Sequence, residues 1–68
     1  EKYQLDVDLA QNSLEKLKDH TDIISENEHL VQTEIDGRKF TVFRSGRVIV
    51  EAVDEGHARQ KVSELLGV

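Results

Sequence analysis

The side chains in this chain that could do chemistry are three histidines, four serines and a run of bases. His20, His29 and His57 stand far apart at unrelated spacings, with no carboxylate at a metal-ligand interval, so they read as surface histidines rather than ligands. Ser13, Ser25, Ser45 and Ser63 sit in no nucleophile elbow, and Ser45 is explained by the turn its Ser-Gly pair makes. The acids fall on polar faces or at helix caps, which gives no support to paired general acid and base work. Arg44-Ser45-Gly46-Arg47 has the composition to cradle an anion with turn amides and two guanidiniums, although plain hairpin chemistry accounts for the same four residues. We assign no catalytic, cofactor-binding or metal-binding residue from the sequence.

Size and charge narrow the remaining functions. A chain of 68 residues makes one domain, and at this size only about 60% of the unfolded surface is buried, so one thin core must hold the fold. There is no cysteine, which removes disulfides, thiolate zinc sites and a thiol nucleophile together. No apolar run approaches the roughly 20 residues that cross a bilayer, and no signal-peptide pattern opens the chain. The expectation is a soluble, cytoplasmic domain without membrane contact. The net charge of −5 hides an asymmetry: residues 1–37 carry ten acids and three bases, residues 38–68 six bases and four acids, or −7 and +2. Four of the bases, Arg38, Lys39, Arg44 and Arg47, crowd one short stretch. They serve either as solvated charges that blunt strand edges or as a site for a small anion or acidic partner. Nucleic acid is disfavoured as a partner, because its affinity comes mainly from phosphate neutralisation and this chain is acidic overall.

The basic stretch lies on a run that must be β-structure. Between Glu34 and Val53, two turn signals, Asp36-Gly37 and Ser45-Gly46, separate short β-branched and aromatic runs, the pattern of three antiparallel strands joined by tight hairpins. Tyr3, Leu5, Val7 and Leu9 alternate with polar residues as a first strand. A helix is predicted to start between Leu9 and Ser13, with Leu9, Ala10, Ser13, Leu14 and Leu17 on its apolar face. Ile23-Ile24-Ser25 forms a short strand. Asp54 caps a second helix carrying Ala58, Val62, Leu65 and Leu66 inward, and Gly67 ends it. The fold class expected is α+β, order β-α-β-β-β-β-α: a mostly antiparallel five-stranded sheet with two helices on one face.

Two-residue loops fix a register. Ile35 then faces Arg38 and Leu30 faces Phe43, while the second loop sets Phe43 opposite Val48 and Thr41 opposite Val50. Val31, Thr33, Ile35, Phe40, Val42, Ile49 and Val53 fall on one face, the candidate to lie under the helices. Leu30, Phe43, Val48 and Val50 fall on the other, as an exposed apolar patch beside Lys39, Arg44 and Arg47. These seven residues are the partner-binding candidates. A one-residue slip would exchange the faces, and the opposite register would bury Phe43 and turn Phe40 outward.

Two families are resembled by the same residues. Phe43-Arg-Ser-Gly-Arg-Val-Ile-Val50, followed by Ala52, Asp54 and Ala58-Arg59, resembles one half-repeat of the TATA-box-binding protein. A longer likeness runs from Leu5 to Val68. Asp8-Leu9, Leu17, Asn27-Glu-His-Leu30, Ile35-Asp-Gly37, Thr41-Val-Phe43, Gly46-Arg47, Ala58 and the final Leu-Gly resemble the C-terminal appendage of adenylyltransferases of the ThiF/MoeB/HesA group, relatives of ubiquitin-activating enzymes. Both likenesses imply a half-saddle fold. The second implies a parent that binds ATP and Mg on a Rossmann-like domain, and often carries cysteines for zinc and sulfur transfer. None of that machinery is in these residues.

The resemblance implies a noncatalytic accessory domain, residues 1–68, that presents its sheet to a sulfur-carrier protein or to the parent's adenylation domain. A nucleic-acid-binding half-saddle is a second reading. A homodimer that joins sheet edges to rebuild a full saddle is a third.

Overall fold

The computed structural model describes residues 1–68. Its elements run β1 (Lys2–Asp6), α1 (Ser13–His20), β2 (Asp22–Glu26), β3 (Leu30–Ile35), β4 (Arg38–Phe43), β5 (Arg47–Glu51) and α2 (Glu55–Leu66). The strands form one antiparallel sheet in the order β1-β5-β4-β3-β2. This is the α+β architecture expected from the pattern of turns and alternation. No helix is long and apolar enough to cross a membrane.

Helix α1 starts at the late end of its expected range. Asn12 makes no side-chain cap; Ser13 Oγ instead accepts from the Ala10 amide at 2.9 Å, holding the turn before the helix. Leu9 and Ala10 therefore precede the helix rather than line its inner face. At the other end no glycine is available, and the Thr21 hydroxyl donates to the Leu17 carbonyl at 2.7 Å. That bond occupies one of the carbonyls a helix C-terminus leaves open. Helix α2 follows its sequence signals closely. Asp54 Oδ1 accepts from the His57 amide at 2.7 Å, and Gly67, at φ 71°, donates to the Ser63 carbonyl at 2.9 Å.

Both helices pack on one face of the sheet. The core joins Leu17 of α1 and Ala58, Val62 and Leu66 of α2 to Leu5, Val31, Phe40, Val42, Val48, Val50 and Ala52 of the sheet. Cross-strand partners share a face, and the register strings these side chains into two rows under the helices. One row is Tyr3, Val50, Phe40 and Thr33; the next is Leu5, Val48, Val42 and Val31.

The first hairpin has the register its turn predicts. Ile35 faces Arg38, Val31 faces Val42 and Leu30 faces Phe43, and Asp36 and Gly37 both take positive φ, 53° and 76°, as a type I′ turn requires. The second hairpin is slipped by one residue. Val42, not Phe43, faces Val48, and Thr41 faces Ile49. The loop is longer than two residues: the Gly46 amide donates to the Phe43 carbonyl at 2.9 Å, closing a turn over Arg44 and Ser45, and Gly46 continues at φ 106°. The chain thus makes a three-residue connection with its glycine at the positive-φ position. Because side chains alternate strictly along a strand, this one extra residue turns β5 over. Val48, Val50 and Ala52 go into the core, and Ile49 comes out onto the open face; Val53, beyond the strand, is exposed.

A candidate protein-interaction face

The face of the sheet away from the helices is where side chains remain free to meet a partner. Its central row runs Gln4, Ile49, Thr41, Gln32 and Ser25 across all five strands, from the paired registers. Gln32 Nε2 donates to Thr41 Oγ1 at 3.1 Å, fixing the middle of the row. Beside its middle, two residues further along β3 and β4, Leu30 and Phe43 sit opposite each other, both half-buried. Leu30, Phe43 and half-buried Ile49 are the apolar members.

Charges on this face nearly balance in number, with one ion pair among them. Arg47 Nε lies 3.5 Å from Asp6 Oδ1. Lys2 faces Glu51, and Lys39 faces Glu34. With Asp22 at the edge opposite Glu34, the face holds three bases, Lys2, Lys39 and Arg47, against four acids, Asp6, Asp22, Glu34 and Glu51.

Of the seven residues proposed from the sequence, the open face gathers Leu30, Phe43, Lys39 and Arg47. Val48 and Val50 do not belong to it. They are 0% and 3% exposed beneath the helices, placed there by the slipped hairpin, and they cannot touch a partner in the folded state. Phe43 stays on the open side and Phe40, at 2% exposure, is the core aromatic. Arg44 is drawn away to the β2–β3 turn, where its Nη2 meets Glu26 Oε2 at 3.1 Å and its Nε donates to the Asn27 carbonyl at 3.3 Å. The open-face residue that sequence reasoning missed, placing it under the helices, is Ile49. Its signal was Gly46: a Ser-Gly pair fits a three-residue connection with glycine last as well as a two-residue loop.

Arg44-Ser45-Gly46-Arg47 is not an anion cradle. Its two guanidiniums point to different acids, Glu26 and Asp6, and the hollow beside Ser45 and Gly46 is bordered by Asp6 and Asp8. Glu26 is the hub on this side of the molecule. The hydrogen bond from the Lys18 ammonium of α1, with the charges of Lys18 and Arg44 adding to it, holds the Glu26 carboxyl below the usual carboxylate range against a smaller opposing effect of burial. The histidines lie at the end of α1, in the β2–β3 turn and on α2, and no three His, Asp or Glu side chains gather as a metal-binding group.

No protein-family model, curated protein or solved structure matches this chain. The functional reading rests on the molecule's own surfaces and on the resemblance carried by its sequence.

Proposed function

We propose that this chain is a noncatalytic protein-interaction domain that meets its partner through the open sheet face, as an accessory module of a cytoplasmic adenylyltransferase of the ThiF/MoeB/HesA kind. The observation that carries the interaction is the helix-free face on which Leu30, Phe43 and Ile49 stand among nearly balanced charges and a row of amide and hydroxyl side chains. A mixed surface with an aromatic anchor suits a protein partner, since interfaces are enriched in aromatics while their bulk polarity resembles ordinary surface. The same balance of three bases and four acids argues against a nucleic-acid half-saddle, which would need unmatched cations for phosphates. The parent's identity is supported by the resemblance from Leu5 to Val68. On that reading ATP and Mg are bound elsewhere in the parent, and the partner is a sulfur-carrier protein or the adenylation domain itself.

The test is a titration of the isotopically labelled chain, first with a ubiquitin-like sulfur-carrier protein and then with an adenylation domain, followed by amide chemical shifts. Shifts grouped on Leu30, Gln32, Thr41, Phe43 and Ile49 are expected with one of the two. Phe43→Ala should keep the fold and weaken binding by more than about 1 kcal/mol. If neither protein moves these amides, or if Phe43→Ala binds as tightly as the parent chain, the proposal fails.

A further inference from the structure

The two central strands do not stay together to their ends. β4 and β5 pair from Val42–Val48 to Phe40–Val50 and then part, β5 continuing along β1 through Glu51 while Arg38 and Lys39 stay with β3. Their divergence opens a cavity of about 260 Å³ whose apolar wall is Ile35, Phe40 and Val50. Its rim holds three cations, Arg38 and Lys39 from β4 and Lys61 from α2, with His57 one helical turn before Lys61. None of the three cations has an ion-pair partner, whereas Lys18, Arg44, Arg47 and Arg59 each do. His57 Nδ1 is buried without a hydrogen-bond partner. That nitrogen is closed to solvent, so the capacity the cavity leaves unmet is the one for negative charge.

We propose that this cleft binds a small oxyanion, a carboxylate or a phosphate monoester, carried on a short apolar group. Ile35, the partly exposed member of the wall, and the aliphatic stems of the rim cations take the body of the ligand over a closed floor of Phe40 and Val50, and the rim takes the charge, the usual division in a ligand pocket. Asp36 and Glu51 also border the cleft, so three cations less two carboxylates leave a net +1. That balance suits a single small anion and opposes a polyphosphate or a nucleic-acid backbone. The cleft shares Lys39 and Glu51 with the margin of the open sheet face, but its other lining residues lie on α2, at the β3–β4 turn and in the core, away from Phe43, and its ligand does not depend on that face's role.

The experiment uses the whole 68-residue chain, titrated with phenyl phosphate, benzoate and, as the uncharged control, benzamide, with amide shifts as readout. Saturable shifts at Arg38 to Phe40, Glu51 and His57 are expected with at least one anion and not with benzamide; the tighter anion identifies phosphate or carboxylate as the preferred head group. Lys61→Glu and Arg38→Glu should each weaken that binding about tenfold or more, because a charge-assisted hydrogen bond is lost. Lys61→Gln should weaken it less, and provides the reading if the reversal perturbs the fold. Arg59→Glu, on the same helix but away from the cleft, should bind as the parent does. The proposal is overturned by shifts that rise linearly without saturating, by equal shifts with benzamide, or by unchanged affinity in both Lys61 variants.

Discussion

The two hairpins of the meander both turn on a glycine at positive φ, yet the two glycines are held in different ways. Gly37 sits at φ 76° in open space, with nothing within 4 Å of where a Cβ would stand. Its turn is set by its own backbone preference and answers to nothing outside the hairpin. Gly46, at φ 106°, lies against the end of β1: a Cβ there would come within 2.3 Å of the Val7 carbonyl oxygen, and the Val7 amide donates to the Gly46 carbonyl at 2.8 Å. On its other side the Arg44 amide donates to the His29 carbonyl at 2.8 Å. The second turn is clamped between two other strands. A local turn is a matter of dihedral preference, whereas a clamped one takes whatever loop length its neighbours can close around.

Substitution at the two glycines should separate these cases most sharply. Gly46→Ala must move backbone as well as adopt a disfavoured φ, and is expected to destabilise by about 3 kcal/mol or more. Gly37→Ala meets only the dihedral penalty, about 1–2 kcal/mol. Urea denaturation of both variants gives the comparison, and equal losses would remove the distinction between a clamped and a free turn. Next in size is the consequence of the slipped register. Val48→Ala should cost about 2 kcal/mol as a core truncation, and Ile49→Ala under about 1 kcal/mol on the open face. A larger loss at Ile49 would mean that β5 is not turned over.

A gain is expected at Thr33, in the row that both hairpins share with the helices. Its hydroxyl is fully buried and has no hydrogen-bond partner. Thr33→Val should therefore raise stability by about 1 kcal/mol, the removed cost of desolvating an unsatisfied hydroxyl. A lower melting temperature would show that the hydroxyl is satisfied after all. The smallest effect belongs to Glu26, which ties Arg44 of the second turn to Lys18 of α1. Its carboxyl is lowered in the folded state relative to the unfolded chain. Its contribution is then present above the unfolded value, about 4.3, and is lost as pH falls through the folded value. Glu26→Gln should flatten that part of the acid limb of the melting curve and leave the neutral-to-alkaline side parallel. An acid limb of unchanged slope would show that the tie contributes nothing.

Most of the architecture could be read from local signals. Asp36-Gly37 set the β3–β4 register, Asp54 and Gly67 bounded α2, and the alternation of Tyr3 and Leu5 with polar residues marked β1. The slip at Gly46 could not be read in the same way, because Ser45-Gly46 fits a two-residue or a three-residue connection locally, and the Val7 bond and close approach that accompany the longer one come from far away in sequence. Half of the apolar patch expected from sequence went with it. Val48 and Val50 moved to the core, Leu30 and Phe43 stayed on the open face, and Ile49 joined them. The cleft between β4 and β5 was not legible either. It depends on where two strands stop pairing, and no turn or cap residue announces that point.

The sheet order carries a kinetic consequence. β2 to β5 follow one another along the sheet as they do along the chain, while β1, the first strand made, pairs with β5, the last. The meander can assemble by closing short loops, but β1 must close the long stretch between Asp6 and Arg47 before its contacts repay the lost entropy. The bond between Val7 and Gly46 belongs to that closure. Damage there should fall mainly on the unfolding limb of a chevron, shortening the lifetime of the native state while leaving the rate of its formation almost as it was.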